Sequence, residues 1–283
     1  MSTPAAVSPA ARTIHGPSAF GGTFKRFADL TWMIGLTQYR LTYFGSALGY
    51  LWALMRPLLL FGVLYVVFSQ IVKFGDGIRN YPVLLLLNIV LFNFFTEATG
   101  RSVLAVVENE GLVRKMHFPR MVIPLSTVLT AALNLVLSLV AVMIFVAAYG
   151  VDPRPEWLLL PVLLVPLVAI TAAVAMLLSS LYVRFRDVAP IWSVLSLALF
   201  YGSPVLYAID SVPEGYQRAV LCNPLAFLLE QGRQWVVDPS ARGGVEAIGG
   251  PAWALVPLAI GLAVCALGVW VFDREAPRIA ERL

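Results

Sequence analysis

The sequence predicts an all-α, polytopic membrane protein. Apolar residues make up 59% of the 283 residues and charged residues only 13%, and the mean hydropathy is +0.82. Soluble globular proteins carry roughly 25% charged residues, so this chain has too few charges to cover a soluble surface. Six apolar stretches also reach the roughly 20 residues that a helix needs to cross about 30 Å of hydrocarbon. The composition therefore argues against a soluble enzyme, a disordered protein and a nucleic-acid-binding domain.

The N-terminal segment predicts a cytoplasmic tail followed by an amphipathic helix. Residues 1–22 are rich in Ala, Ser, Pro and Gly and lack an uninterrupted apolar core, which is typical of a flexible tail and not of a secretory signal. In residues 23–40, Phe24, Phe27, Leu30 and Ile34 recur at steps of three or four, as on one face of a helix. Such a helix suits the membrane interface. Packing of this face on the protein's own core is an equally good interpretation, and both can hold.

Residues 41–283 are predicted to form one transmembrane domain with six spans. The predicted spans are residues 45–71, 81–106, 121–149, 157–182, 189–209 and 252–272. Between the last two spans, Pro213 and Pro224 interrupt a stretch whose apolar run is too short to cross, which predicts short outer interfacial or re-entrant helices. With both termini in the cytoplasm, the inner segments carry about twice as many Lys and Arg residues as the outer ones, which favours that orientation.

The residues needed for ATP hydrolysis or for metal binding are missing. A phosphate-binding loop needs a Gly directly before its Lys, whereas Lys25, Lys73 and Lys115 follow Phe, Val and Arg. Two histidines are too few for a histidine-based metal site, and two cysteines form neither a disulfide framework nor a ligand cluster. We therefore expect no cofactor, no metal and no ATPase activity in this chain.

Two charged residues fall inside predicted spans. Arg56 lies in the first span and Glu97 in the second, at similar depth in the inner half. An unpaired charge at the membrane centre costs at least about 2.5–3.5 kcal/mol, so we predict a structural ion pair between them. Arg101 lies four residues after Glu97 and offers it a second partner on the same helix. Direct contact with a pyrophosphate head group is the alternative role.

Three segments resemble a known family of membrane subunits. Residues 109–125 read NEGLVRKMHFPRMVIPL; residues 181–237 contain LYVRFRDV, YGSPVLYAIDSVPEGYQ and CNPLAFLLEQGRQWV; and the first span contains FGSALGYLWALMRPLL. In their order and placement these segments are similar to the transmembrane (permease) subunits of ABC-2 type polysaccharide exporters, the group that exports O-antigen, teichoic acid and galactan. The resemblance covers the chain from about residue 25 onward.

The resemblance implies a transport subunit and not an enzyme. Such a subunit forms a homodimer, docks on two copies of an ATP-binding subunit that holds ATP and Mg²⁺, and moves a lipid-linked polysaccharide across the bacterial cytoplasmic membrane. Membrane lipids are the other expected partners. Seventeen Arg against three Lys are typical of a GC-rich genome, which makes a cell-wall galactan precursor the leading glycan. The alternatives are an ABC-2 exporter of a drug or another lipid, a membrane-embedded glycan-modifying enzyme or polymerase, and a structural scaffold.

Residues 110–119 are predicted to form a short helix that docks in a cleft of the ATP-binding subunit. Acidic residues precede the basic pair in this segment, as the helix dipole favours, and the proline ends the helix. Anchoring by positive charges alone is the alternative, but it does not explain the apolar residues among them. The residues assigned to coupling are Glu110, Leu112, Val113, Arg114, Lys115, Phe118 and Pro119, with Arg184, Arg186 and Asp187 as weaker candidates on the same surface.

Aromatic residues on the first, second and fifth predicted spans indicate a conduit for the glycan. Sugar rings can lie on aromatic faces through their C–H groups, while hydroxyls bond the polar tips of Tyr and Trp. The residues assigned to the conduit are Tyr50, Phe61, Tyr65, Phe68, Phe92, Phe95, Trp192, Phe200 and Tyr207. Aromatic residues also populate membrane interfaces and pack dimer contacts, which are the alternative roles.

Overall fold

The structure is a computed structural model that describes residues 24–44, 49, 51–73, 77–115 and 119–282. All regular elements in these ranges are helices. Five helical segments of the described residues are long and apolar enough to cross a membrane. These segments are Leu51–Ser69, Tyr81–Glu108, Val122–Ala148, Pro155–Arg184 and Pro251–Arg278. The predicted all-α, multi-pass membrane class is therefore confirmed, whereas the predicted tail (residues 1–22) lies outside the described residues.

Eleven α-helices follow one another in the described part of the chain. They are α1 (Phe24–Tyr43), α2 (Leu51–Tyr65), α3 (Tyr81–Glu108), α4 (Glu110–Lys115), α5 (Val122–Ala148), α6 (Leu160–Arg184), α7 (Val188–Gly202), α8 (Glu214–Leu221), α9 (Pro224–Gly232), α10 (Gly244–Ala247) and α11 (Pro251–Arg282). Wider π-helical turns continue α2 over Val66–Ile71 and α9 over Arg233–Val237. A 3₁₀ turn, Pro155–Leu159, leads into α6.

Helix α3 is the centre of the bundle. It packs against α5 on one side and α6 on another, and 78% of its membrane-spanning window is buried within the protein. The corresponding window of α2 is only 6% buried, and α7 contains no buried residue. One side of α3 is therefore enclosed by its own chain, while the side that carries α2 and α7 remains open.

The bundle has two distinct ends. At the α4 end, an apolar cluster joins the end of α3, the start of α5, the end of α6 and the end of α11, through Val106, Met121, Val183 and Phe272. The N-terminal helix α1 adds Phe27, Leu30 and Ile34 to this cluster, so its predicted apolar face packs on the protein's own core. At the other end lies the segment between α7 and α11, residues 203–250, which we call the cap.

The predicted fifth span breaks after Gly202. Helix α7 has 15 residues, which correspond to about 22 Å, and the chain then runs without regular structure from Ser203 to Ala208. Pro204 explains the break, because a proline lacks an N–H and forces the residue before it out of helical geometry. Ser203 accordingly has an extended backbone, with φ −105 and ψ 154. The prediction of one helix over residues 189–209 is therefore wrong beyond Gly202.

The other predicted elements correspond to helices in the structure. The second, third and fourth predicted spans fall on α3, α5 and the 3₁₀ turn with α6, with ends that differ by a few residues, whereas α11 continues about ten residues beyond the predicted end of the sixth span at residue 272. The cap contains the short helices α8, α9 and α10, in the region where short helices are predicted. A small core of its own, which includes Ile209, Leu221 and Ile248, holds them together.

Candidate functional site

A groove on the open side of α3 is the first part of the candidate site. Its floor is α3 and its two walls are α2 and α7, and it has a volume of about 410 Å³. We call it the α2–α7 groove. The residues that line it are Leu60, Leu64, Ile89, Phe92, Asn93, Thr96, Ser193, Ser196, Leu197, Phe200 and Tyr201. Hydroxyl, amide and aromatic groups therefore share one surface on the apolar helices α2, α3 and α7.

A polar chamber of about 530 Å³ adjoins the groove toward the α4 end. We call it the Glu97 chamber. It is lined by Thr42, Tyr43, Trp52, Ala53, Arg56, Leu59, Asn93, Glu97, Arg101 and Asn134. The amide side chain of Asn93 lines both spaces. A row of polar side chains on α3 therefore runs from the groove into the chamber, formed by Asn93, Thr96, Glu97 and Arg101.

Hydrogen bonds within the chamber hold the Glu97 carboxylate. Arg101 Nη2 lies 3.1 Å from Glu97 Oε1, and Asn134 Nδ2 donates to the same oxygen at 3.0 Å. The Tyr43 hydroxyl in turn donates to Asn134 Oδ1 at 2.8 Å. Arg56 lines the chamber but has no ion-pair partner among the described residues, so the pairing predicted with Glu97 is made by Arg101 instead. Arg101 lies one helical turn from Glu97 on α3, so its guanidinium reaches the Glu97 carboxylate.

The predicted conduit residues divide between the groove and the core. Phe92 and Phe200 line the groove and meet edge to face, with ring centroids 5.3 Å apart. Phe95 is only 2% exposed and packs against Trp192 at 5.9 Å. The prediction that Phe95 lines a conduit therefore disagrees with the structure of the single chain, because the ring fills the contact between α3 and α7.

The remaining aromatic residues lie around the groove without lining it. Phe61 packs edge to face on Phe145 of α5 at 5.4 Å and stacks on Tyr65 at 5.7 Å. Phe68 lies in the π-helical turn that follows α2, and Tyr207 lies in the cap; both are half-buried. Tyr50 lies outside the described residues.

The predicted coupling segment is helical at its start. Helix α4 covers Glu110–Lys115, and Pro119 follows in a non-helical, buried position. Leu112 is partly buried against the apolar cluster at the α4 end, and its assignment to coupling stays a prediction. The side chains of Val113, Arg114 and Lys115 and the whole of Phe118 lie outside the described residues.

The turn between α6 and α7 lies at the same end of the bundle as α4. Arg184, Arg186 and Asp187 are all exposed there. The guanidinium group of Arg184 lies 4.9 Å from the ring centroid of Phe185, and that of Arg186 lies 4.9 Å from the ring of Tyr182. Both predicted coupling segments therefore lie at the same end of the bundle.

A buried network of charges in the cap escaped sequence reasoning. Arg233 Nη1 donates to Glu230 Oε1 at 2.7 Å and to Asp210 Oδ2 at 2.9 Å, and Arg242 also pairs with Asp210. Glu230 is 1% exposed and Arg233 is 5% exposed. Burial raises the pKa of the Glu230 carboxyl above its ordinary value, against the opposing effect of the Arg233 guanidinium. In the sequence, the only sign of this network is that Glu230 and Arg233 lie three residues apart next to an apolar run.

Opposing effects act on the second carboxyl of this network. Burial alone would raise the pKa of Asp210, but its hydrogen bonds with Arg242 and Arg233 outweigh burial and hold that pKa below its ordinary value. The pKa values of the two carboxyls are therefore shifted in opposite directions from their ordinary values.

Side chains of α3 and α9 hold the non-helical segment after α7. Asn88 Nδ2 donates to the carbonyl oxygen of Pro204 at 2.9 Å, and the Tyr81 hydroxyl donates to that of Leu206 at 2.8 Å. Asn223 Nδ2 donates to Ser203 Oγ at 3.0 Å. Irregular backbone within a membrane protein needs such internal partners. These bonds fix the broken end of α7 at the cap end of the groove.

These elements define a multi-pass membrane protein with a row of polar side chains along its central helix. The profile of the ABC-2 type transporter family matches residues 30–235, and the chain belongs to that family. This match extends from α1 through the π-helical turn after α9, so it includes the groove, the chamber and α4. The resemblance inferred from the sequence motifs is thereby confirmed.

Characterised relatives match most of the chain. It is 28% identical over 256 residues to the O-antigen export system permease protein RfbA of Klebsiella pneumoniae, a match that covers 90% of this chain and 95% of the relative. It is 30% identical to RfbA of Myxococcus xanthus, over 70% of this chain and 76% of the relative. The polysialic acid transport protein KpsM of Escherichia coli is 28% identical, over 79% and 87% of the two chains.

Proposed function

We propose that the chain is the membrane-spanning subunit of an ATP-driven exporter that moves a lipid-linked polysaccharide across the bacterial cytoplasmic membrane. The observation that carries this proposal is the α2–α7 groove, whose lining combines Ser, Asn and Thr groups and Phe and Tyr rings with aliphatic side chains. Such a surface offers hydrogen bonds to hydroxyls and ring faces to sugar C–H groups. The relatives named as O-antigen export permeases and polysialic acid transport proteins support the same cargo class.

The proposed assembly is a homodimer with two copies of an ATP-binding subunit. The exposed faces of α2 and α7 flank the groove, and a second copy placed against them would close it into a path. ATP and Mg²⁺ are bound by the partner subunit. The partner docks at the α4 end, where α4 and the exposed turn of Arg184, Arg186 and Asp187 lie together.

We place both termini in the cytoplasm, with α4 on the cytoplasmic side and the cap on the outer side. The fifth crossing is then completed by α7 and the buried, non-helical segment that follows it, which gives six crossings. Helix α7 alone is shorter than the hydrocarbon core of the membrane is thick, so it needs this continuation to complete a crossing. The Arg-rich composition favours a galactan precursor as the glycan.

A transport assay tests the proposal. The chain is purified with its ATP-binding subunit and reconstituted into vesicles that carry a lipid-linked polysaccharide. Export makes the glycan accessible, in an ATP-dependent manner, to a glycosidase that cannot cross the membrane. If ATP leaves the accessibility of the glycan unchanged but drives transport of a lipid or a drug, the result would favour the alternative, an ABC-2 exporter of a drug or another lipid. A change in glycan length or composition would instead indicate a modifying enzyme.

A blocking substitution links the assay to the groove. Ser196→Trp places a bulky ring on the groove surface of α7, whereas Ala259→Trp places the same ring at an exposed position of α11, outside the groove and away from α2 and α7. We expect the first variant to lower the export rate at least about tenfold, equivalent to about 1.4 kcal/mol in the barrier, and the second to leave it nearly unchanged. Equal rates in the two variants would contradict the proposed path.

A further inference from the structure

The Glu97 chamber carries more positive than negative charge. Among the described residues that line it, Arg56 and Arg101 carry guanidinium groups, Glu97 carries a carboxylate, and the others are uncharged. Glu97 pairs with Arg101, whereas Arg56 has no ion-pair partner among the described residues. An arginine side chain stays protonated in proteins and presents five N–H donors and no acceptor. The chamber therefore has one positive charge in excess, at Arg56.

This excess charge lies on membrane-spanning helices. Arg56 falls in the segment Leu51–Ser69, and Glu97 and Arg101 fall in Tyr81–Glu108; both segments are long and apolar enough to cross a membrane. A charged side chain within such a segment is costly unless a partner balances it, and it marks a candidate substrate or ion site. Arg56 therefore calls for an anion.

The facing helices of a second copy contain no such anion. In the proposed dimer, α2 and α7 of the two copies face each other, and neither Leu51–Tyr65 nor Val188–Gly202 contains an Asp or a Glu. The hydroxyl and amide groups in the chamber wall donate hydrogen bonds but carry no charge. An anionic ligand is then the group that balances Arg56.

Two different surfaces adjoin the cationic chamber. On α2, Trp52 and Leu59 lie about one turn on either side of Arg56 and are 50% and 55% exposed, so apolar surface borders the chamber there. On α3, Asn93 lies one turn before Glu97 and also lines the α2–α7 groove, whose hydroxyl, amide and aromatic groups offer the contacts that sugars use. The anion therefore lies between an apolar border and a surface for sugars.

We propose that the Glu97 chamber binds the phosphate or diphosphate group that joins the lipid to the glycan. This inference rests on the proposed function, because it takes the cargo to be a lipid-linked polysaccharide. The lipid borders Trp52 and Leu59, the phosphate faces Arg56, and the first sugars reach the groove past Asn93. The planar guanidinium matches the oxygens of a phosphate group, and such charge-assisted hydrogen bonds are about twice as strong as neutral ones. Glu97 repels the phosphate, which lowers the affinity for a head group that has to be released.

Native mass spectrometry of the purified full chain tests this site without ATP, without the ATP-binding subunit and without transport. The protein is stripped of lipid and weighed after incubation with farnesyl diphosphate, which combines a short prenyl chain with a diphosphate. Three further probes separate the sources of binding: farnesol lacks the phosphates, inorganic diphosphate lacks the lipid, and phosphatidylglycerol is an ordinary anionic membrane lipid. Gel filtration and thermal unfolding verify that each variant is folded.

Arg56→Gln removes the cation from the chamber, and Arg79→Gln removes an exposed arginine before α3 that does not line it. We expect the wild type to bind farnesyl diphosphate more tightly than the other three probes, and Arg56→Gln to lose at least about tenfold in affinity, or about 1.4 kcal/mol. Arg79→Gln should bind as the wild type does. Wild-type affinity in Arg56→Gln, or equal binding of farnesol, would overturn the phosphate site. Equal binding of inorganic diphosphate or of phosphatidylglycerol would overturn the assignment to the lipid linked to the glycan.

Glu97→Gln should have an effect of the opposite sign. It removes the carboxylate that repels the phosphate, so we expect the affinity for farnesyl diphosphate to rise at least about threefold. Glu108→Gln, at an exposed position of the same helix, should leave it unchanged. A lower affinity in Glu97→Gln would overturn this charge balance.

The export assay separates this inference from the proposed function. Binding of farnesyl diphosphate through Arg56 without export of any glycan would contradict the function and leave a site for prenyl diphosphates. ATP-driven export of the glycan, together with unchanged binding in Arg56→Gln, would contradict only the site.

Discussion

The carboxylate of Glu97 shows how a charge is stabilised within a membrane-spanning helix. It is 14% exposed and is held by Arg101 and Asn134, while Arg56 lies in the same chamber without pairing to it. Arg101 is 40% exposed, so solvent weakens this pair. The sequence correctly indicates that Glu97 needs a partner, but the choice among Arg56, Arg101 and Asn134 depends on which helices are neighbours.

Removal of this charge is expected to destabilise the protein moderately. Glu97→Gln keeps an acceptor for Asn134 but leaves Arg101 without its anion, so we expect a loss of about 1 kcal/mol and a lower Tm. Thermal unfolding of the detergent-solubilised protein measures it. Glu108→Gln, at an exposed position near the end of the same helix, is the matched control. Identical melting curves for both variants and the wild type would contradict a structural role for the pair.

The buried pair of Arg233 and Glu230 is expected to contribute more. Arg233→Met leaves the Glu230 carboxylate buried without its cation, and loss of one partner of a buried pair typically costs about 3–5 kcal/mol. Arg233→Lys keeps the charge but loses the planar guanidinium whose Nη1 donates to both Glu230 and Asp210, so its Tm should lie between those of Arg233→Met and the wild type. A wild-type Tm for Arg233→Met would show that the network is dispensable.

The effect of Arg233→Met should depend on pH in a defined direction. Burial already raises the pKa of Glu230 above its ordinary 4.5, and removal of the cation raises it further. The carboxyl then takes up a proton in the folded state as the pH falls, so the difference in Tm from wild type should be larger at about pH 7.5 than at about pH 5. The pairs of Asp210 do not interfere, because its lowered pKa keeps their contribution until the pH falls below 3.8. The same difference in Tm between Arg233→Met and the wild type at both pH values would contradict this mechanism.

At the scale of elements, the contact between α6 and α11 is the most extensive in the bundle. It depends on Gly268, because a Cβ at this position would collide with the backbone of Ala173 in α6. Small residues at such crossings let helix backbones approach closely, and dispersion contacts rather than a hydrophobic force then hold the helices together.

A larger residue at this crossing should separate the two helices. Gly268→Leu forces a backbone shift, and we expect a loss of about 1–3 kcal/mol, as for overpacked cores, with less protein recovered as a single species in gel filtration. Gly100→Leu introduces the same side chain on α3, where a Cβ has open space around it, and should be tolerated. Equal stability of the two variants would show that the close approach does not matter.

Helix α4 offers a direct test of docking at its end of the bundle. Gly111 is exposed, and a Cβ there has no neighbour within 4 Å, so its substitution leaves the protein's own packing intact. We expect Gly111→Trp to lower co-purification of the ATP-binding subunit, or the ATP hydrolysis that export requires, whereas Gly111→Ala should behave as wild type. Full assembly and export by Gly111→Trp would contradict docking through α4. Leu112 is less suitable because it also packs on the core.

At the scale of the whole molecule, the low burial of α2 and α7 beside the buried α3 is the basis for the proposed contact with a second copy. Val63 on α2 and Val194 on α7 are 63% and 67% exposed, although both flank the central helix. In a two-fold dimer, each contact occurs twice: when a residue of the first copy contacts a second residue of the other copy, the same two positions also meet with the copies exchanged. The exposed faces of α2 and α7 fit this requirement.

Cross-linking between differently tagged copies tests this dimer. With Cys222 and Cys265 replaced by Ala, we expect Val63→Cys in one copy and Val194→Cys in the other to be joined by a short bismaleimide within the membrane. Leu262→Cys, equally exposed on α11 but on the far side of the bundle, should give no cross-link with either. Absence of the first cross-link, or an equally strong one through Leu262→Cys, would place the interface elsewhere.

The sequence alone determined the membrane class, the positions of the long helices, the amphipathic α1 and the family. These properties follow from the length, period and order of local segments, so no knowledge of neighbours is needed. Only the tertiary structure decided which residues meet. It buried Phe95 against Trp192, brought Asn134 to the Glu97 carboxylate, and placed Asp210 beside Arg233. It also supplied the partners in α3 and α9 that stabilise the extended backbone after Gly202. Such contacts depend on the arrangement of distant segments, because burial and pairing are set by neighbours in space and not by neighbours along the chain.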